Sequence, residues 1–156
     1  MKLIPYWIDT APAGEDWTGT PLPPRTDVAV IGGGLTGLSA ALHLANKGAD
    51  VALFEQERVG WGASGRNGGM CTTGMTIGFL SAVSRYGLPT ASMLYLAYNH
   101  AIDLVEKLVV DEGIACDFAR AGKLNLACKP AHYERLARTR EALATRLGYQ
   151  TELVPR

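Results

Sequence analysis

Three glycines, Gly32, Gly34 and Gly37, lie within VAVIGGGLTGLSA (residues 28–40) at a spacing that suits one kind of chemistry, the cradling of a pyrophosphate. A pyrophosphate is held where backbone N–H groups at a helix N-terminus point at it, and a side chain in the way would block the approach. The first glycine permits a sharp strand-to-helix turn, the second lets the backbone come close to the phosphates, and the third lets the helix pack tightly on the strand. Leu35 and Thr36 belong to the same turn. Such a site also needs a carboxylate at the end of the next strand to accept hydrogen bonds from an adenosine ribose, and Glu55 stands there, followed by Gln56. An acid at that position disfavours the 2′-phosphate of NADP and leaves FAD and NAD as the candidates.

These residues need elements to hold them. Residues 27–31 (DVAVI) are short and β-branched, which predicts a strand buried on both faces of a parallel sheet. Over residues 35–47, Leu38, Ala41, Leu42 and Ala45 recur at helical spacing, and Gly48 is placed to end that helix in a left-handed turn. Residues 50–55 (DVALFE) predict the second strand. A G-x-G-x-x-G run alone is weak evidence, but a strand before it, a helix after it and an acid closing the next strand supply the context that gives it meaning. The fold class is therefore α/β, a Rossmann-like dinucleotide-binding β-α-β unit followed by the start of a second α+β portion; that the unit is incomplete is implied by the resemblance described below.

Residues 1–26, with Pro5, Pro12, Pro21, Pro23 and Pro24, read as an irregular arm anchored by Tyr6, Trp7 and Trp17. Residues 27–90 hold the β-α-β unit and a long glycine-rich passage (56–90) without clear periodicity, a length of loop that usually does functional work or forms an irregular local structure. Residues 91–156 form a third segment. Its first part, about 91–112, predicts an amphipathic helix with Leu94, Tyr98, Ala101, Val105 and Leu108 as the apolar stripe and Asp103–Lys107 as an ion pair. Alternation at Leu124 and Leu126 predicts a strand pair or edge strand over 118–128. Pro130 suits the first turn of a last helix, with Tyr133, Leu136, Leu143 and Leu147 inward, an ion pair between Glu134 and Arg138, and Gly148 as its stop. The tail YQTELVPR starts another strand.

Fifteen basic residues balance fifteen acidic ones, with no block of like charge, so nothing points to nucleic acid or an anionic membrane surface. No apolar run is long enough for a membrane span, and Pro5 and Asp9 break up the N-terminal apolar stretch that a signal peptide requires. Cys71, Cys116 and Cys128 are odd in number and lack zinc spacing, which fits a reducing, cytoplasmic setting with neither a disulfide framework nor a metal site. Cys71 reads as a small buried thiol. His43, His100 and His132 share no ligand spacing and read as surface residues.

After Glu55 comes ERVGWGASGRNGGM (residues 57–70), and here the sequence resembles the D-amino-acid oxidase-like (DAO) superfamily of FAD-dependent amine oxidoreductases, among them sarcosine, glycine and γ-glutamylputrescine oxidases. The resemblance is carried by DVAVIGGGLTGLSAALHLANKGADVALFE and GWGASGRNGG, and the arm's IPYWIDTAP resembles that of the γ-glutamylputrescine oxidase branch. It implies that the second glycine passage runs beneath the flavin end of the cofactor, with Gly62, Ala63, Ser64, Arg66, Asn67, Gly68 and Gly69 as contacts. Glycines let the chain lie flat against a planar ring, Ser64 and Asn67 suit ribityl or phosphate oxygens, and Arg66 suits an anion. Trp61 is open to two roles, covering the adenine or packing. No histidine lies between Gln56 and Tyr98, so the resemblance implies noncovalent FAD.

The resemblance further implies an N-terminal part of a longer flavoenzyme, inactive alone, whose flavin accepts a hydride at N5 from the carbon bearing an amine. The imine product hydrolyses to a carbonyl compound and an amine. The partners would be an amine or amino-acid substrate and oxygen or another electron acceptor. The residues that position the amine over the flavin would lie beyond this segment, and no catalytic residue is assigned within it. The alternatives are a truncated module that binds a dinucleotide, or its ADP half, without catalysis, and an ordinary NAD-binding domain, which would not need GASGRNGG.

Overall fold

A computed structural model describes residues 3–12 and 14–155; Met1, Lys2 and Ala13 of the arm and Arg156 of the tail lie outside the described residues. The chain folds as two units, one ending at Met70 and the other beginning at Cys71.

In the first unit the arm contains a short helix, α1 (Tyr6–Thr10), where the prolines predict an irregular segment. Pro5 sits just before the helix, where its missing N–H costs nothing, and its carbonyl accepts the amides of Ile8 and Asp9 at 3.0 Å each. Strands β1 (Val28–Ile31) and β2 (Val51–Phe54) pair in parallel, Val28 opposite Val51 and Ile31 opposite Phe54. Parallel neighbours require a crossover, and α2 (Leu35–Ala45) supplies it. Gly48 ends that crossover as the spacing predicts. At φ +88°, it donates to the Ala45 carbonyl at 2.8 Å while Ala49 donates to Leu44 at 3.2 Å, the paired bonds of a Schellman stop.

Burial of β1 on both faces does not occur. Val28 and Val30 are half-buried, whereas Ala29 and Ile31 are exposed, Ile31 at 80%. α2 packs on one side of the strand pair, so only alternate residues are covered.

The second unit is built from three helices: α3 (Phe79–Tyr86), α4 (Leu88–Asp111) and α5 (Pro130–Leu147). α3 lies inside the passage that composition alone assigns to a loop; its eight residues are fewer than a periodicity window spans, and glycines crowd its approach. Gly87, at φ +78°, is the single residue between α3 and α4. The core is Phe79, Ala82, Ala91, Tyr95, Ala142 and Leu143. The Tyr95 ring meets Phe79 and Tyr149 edge-on, with centroids 5.6 and 5.4 Å apart, and burial pushes its phenol pKa up.

The packed face of α4 is therefore not the expected stripe. Tyr98 and Val105 are exposed, while Ala91 and Tyr95 are buried, because the one-residue connection sets α3 against the first turns of α4. Lys107 pairs with Asp111 rather than Asp103, and Asp103 joins Glu106 in holding Arg120. Those carboxylates hold the guanidinium proton above the usual arginine range. Residues 118–128 form no strand, and Leu124 and Leu126 are exposed; a strand needs a neighbouring ladder, and none stands beside this segment among the described residues. Instead Arg120 on α4 and the Lys123 ammonium on the Thr73 carbonyl, at 2.9 Å, tether it. The tail likewise lacks a strand among the described residues.

α5 runs as the sequence predicts, with Leu143 buried, Tyr133, Leu136 and Leu147 half-buried, and Gly148 in the left-handed region at φ +65°. Glu134 and Arg138 form no ion pair among the described residues. Cys71 is exposed, as are Cys116 and Cys128, so the expected buried thiol is corrected. Among the described residues no helix is long and apolar enough to cross a membrane, and no group of His, Cys, Asp and Glu is placed to hold a metal ion.

Ala91 is fully enclosed beside Ala82. Ala91→Leu is expected to destabilise the chain by about 1–3 kcal/mol through overpacking, whereas Tyr98→Ser, on the exposed face, should stay within about 0.5 kcal/mol; urea denaturation reads both.

Candidate cofactor site

The turn between β1 and α2 is shaped by absent side chains. Gly32 takes φ +104° and its amide donates to the Phe54 carbonyl at 2.7 Å, which joins the end of β1 to the end of β2. A Cβ on Gly37 would stand 1.9 Å from the Gly32 carbonyl oxygen, so only glycine lets α2 come this close to the turn. A Cβ on Gly34 would meet the Ser64 hydroxyl oxygen at 3.0 Å. Among the described residues, the amides of Gly34, Thr36 and Gly37 have no protein acceptor, while Leu35 donates to Ser64 Oγ at 3.0 Å. Unpaired amides at a helix start, with the macrodipole behind them, favour an anion.

Glu55 closes the other side. Its Oε2 accepts the Gly33 amide at 2.6 Å and its Oε1 accepts the Glu57 amide at 3.0 Å. The Glu57 amide, then the Gly33 amide, hold the carboxyl below its usual pKa. Each oxygen keeps a further lone pair for a hydroxyl donor.

The second glycine passage folds back onto this turn. Gly60 donates to the Gly33 carbonyl at 2.9 Å, and a single 3-10 turn over Ala63–Gly65 follows. The Arg66 guanidinium lies 4.5 Å from the centre of the Trp61 ring, and its Nε donates to the Trp61 carbonyl at 3.0 Å. Asn67 braces the passage internally: Nδ2 donates to the Ser64 carbonyl at 2.6 Å and Oδ1 accepts the Gly69 amide at 2.7 Å.

One cleft of about 310 Å³ results, and it brings together seven of the residues that the sequence singles out: Gly34, Glu55, Gln56, Trp61, Gly62, Ala63 and Ser64. Gly32, Leu35, Thr36 and Gly37 are not among its lining residues, and neither are Arg66, Asn67, Gly68 and Gly69, which lie further along the passage. Glu57 and Gly60 also line it. Glu57 and Gly60 are missed by motif reasoning because they act through backbone amides, which carry no residue-type signal. Ligand pockets run from about 300 to 1,000 Å³, so this cleft lies at the small end of that range. The free amides, the shaped glycine turn and the two-oxygen acceptor fit that group.

The comparisons with known proteins decide which dinucleotide. Residues 27–156 match the family described as DAO: FAD dependent oxidoreductase. The chain belongs to this FAD-dependent family. Its β-α-β unit is accordingly part of a Rossmann-like α/β fold. It is 41% identical over 96 residues to gamma-glutamylputrescine oxidoreductase of Escherichia coli (strain K12), covering 62% of this chain and 22% of that protein. It is 34% identical over 147 residues to "Probable oxidoreductase OrdL" of Haemophilus influenzae, 93% of this chain and 33% of that protein. Identity to the protein of the same name from Rhizobium meliloti is 35% over 155 residues, 92% of this chain and 36% of that protein. The chain thus spans between about a fifth and just over a third of the length of these curated relatives. No solved structure gives a significant match.

Two expectations follow for this family member. Gly37→Ala should lower the melting temperature and weaken ADP binding at least about tenfold, because backbone must move to admit the Cβ; Gly62→Ala, with open space around its Cβ position, should melt like the parent. Glu55 has a folded-state pKa below its unfolded one, so its contribution to stability is complete above the usual carboxylate range, about pH 4–5, and is lost as pH falls through the depressed value. Melting followed from pH 7 to pH 3 should show that loss in the parent and a flatter profile in Glu55→Gln.

Proposed function

We propose that this chain is the FAD-binding portion of an oxidoreductase that oxidises the C–N bond of an amine or amino acid. The observation that carries the reading is the cleft in which the first glycine turn, Glu55 and the second glycine passage meet. The free amides of Gly34, Thr36 and Gly37 face the pyrophosphate, with Leu35 in the same turn held to Ser64; the carboxylate of Glu55 takes the ribose hydroxyls, and Gln56 borders the adenine side. Gly62, Ala63 and Ser64 carry the cofactor's path onward to Arg66, Asn67, Gly68 and Gly69 near the flavin end. In this division residues 1–26 are an arm, 27–90 the cofactor-binding part and 91–156 a segment leading towards the substrate portion.

FAD, when bound, supplies the acceptor for the electrons of the C–N bond oxidation. The chain's own residues bind and orient it. Leu35 already donates to Ser64, so the second passage is held against the start of α2 before any ligand arrives. Binding is noncovalent in this reading. The passage holds no histidine. The amine or amino-acid substrate class is supported by the relative named for gamma-glutamylputrescine. Oxygen or another acceptor takes the electrons onward.

Titration of the chain with FAD, NAD and ADP, followed by flavin absorbance and fluorescence and by calorimetry, tests this. Saturable FAD binding that acid precipitation releases intact is the expected result. Binding of ADP with no preference for FAD would favour a dinucleotide module without flavin chemistry, and selective NAD binding would overturn the reading.

A further inference from the structure

The family match begins at residue 27, yet α1 in the arm reaches the second glycine passage. The indole Nε1 of Trp7 donates to the Asn67 carbonyl at 2.8 Å, across sixty residues of sequence. The Trp7 ring lies on Gly69, where a Cβ would stand 2.3 Å from indole Cζ2, and Gly69 is itself held at φ +65°. Beside Trp7 on α1, the Ile8 side chain comes within 3.8 Å of the Cβ position of Gly65. The contact therefore consists of a hydrogen bond, a close ring-on-backbone approach and an aliphatic neighbour.

We propose that Trp7 is a positioning residue for the second glycine passage, with α1 acting as a clasp that holds residues 64–69 in the shape that receives the cofactor. The contacts form a continuous series. Trp7 fixes the Asn67 carbonyl; the Asn67 side chain bridges the Ser64 carbonyl and the Gly69 amide; and Ser64 Oγ accepts from Leu35 in the first turn of α2. Glycine-rich backbone has the most conformational freedom to lose on ordering, so a passage with glycines at 60, 62, 65, 68 and 69 needs an outside support to keep one shape. Trp7 is 41% exposed, so trimming it removes the clasp without emptying a core.

The loop-shaping claim stands on its own geometry, and only its consequence for affinity rests on the proposed FAD reading. The test compares the full chain with Trp7→Phe, Trp7→Ala and Gly69→Ala by amide hydrogen exchange and by FAD titration. Loss of a hydrogen bond and its packing is expected to speed exchange of the Gly69 amide about tenfold in Trp7→Ala, with β1, β2 and α2 unchanged. Trp7→Phe, which keeps a ring but not the donor, should fall between, and Gly69→Ala should resemble Trp7→Ala because its Cβ displaces the indole. FAD affinity should fall in the same order. Exchange over 64–69 that stays at the parent rate in Trp7→Ala overturns the proposal. So does a loss of protection spread equally over β1 and α2, which would make Trp7 a general anchor. Faster exchange confined to 64–69 in a chain that takes up no FAD would support the clasp and overturn the cofactor reading instead.

Discussion

The closeness of Gly37 to the Gly32 carbonyl, where a Cβ would sit at 1.9 Å, is the constraint from which the site descends. It sets α2 hard against the end of β1, so that the unpaired amides of the helix's first turn open beside the ends of both strands. Parallel pairing of β1 with β2 then brings Glu55 across from Gly33.

In the proposed reading Glu55 has two tasks that depend on the same atoms. Each oxygen accepts a backbone amide, which ties the first turn and the segment after β2 together, and each retains a lone pair for a ligand hydroxyl. The carboxylate is thereby oriented before a ligand is present, a form of preorganisation that lowers the ordering cost of binding. The second glycine passage is organised the same way. Ser64 and Asn67, residue types that suit cofactor oxygens, also spend hydrogen bonds on the passage itself and on α2. Arg66 lies over the Trp61 ring and donates to the Trp61 carbonyl, beside the cleft that Trp61 lines.

The second unit follows a different logic. Its core is small and rests on alanines and edge-on aromatic contacts, with Tyr95 at the centre between Phe79 and Tyr149. Segments outside that core are held by polar tethers. Arg120 reaches both Asp103 and Glu106, and Lys123 reaches the Thr73 carbonyl, which fastens an extended stretch that has no ladder to join.

Local patterns alone determined a good deal of this protein. The β-α-β unit, the stop at Gly48, the last helix from Pro130 to Leu147 and the glycine turn closed by Glu55 were all legible, because each depends on residues near in sequence whose backbone needs are specific: φ above zero, absence of a Cβ, or a fixed proline angle. Other features were decided only by the tertiary structure. α3 is too short to show its period; α4 buries Ala91 and Tyr95 rather than the stripe centred on Tyr98, because a one-residue connection chooses the face; and 118–128 fails as a strand for want of a neighbour. The contacts of Trp7 with Asn67 and Gly69 and of Leu35 with Ser64 join residues distant in sequence, and no spacing rule encodes them. Local sequence specifies which backbone conformations are permitted, whereas the partner of each hydrogen bond and the face each helix buries depend on what the rest of the chain brings alongside.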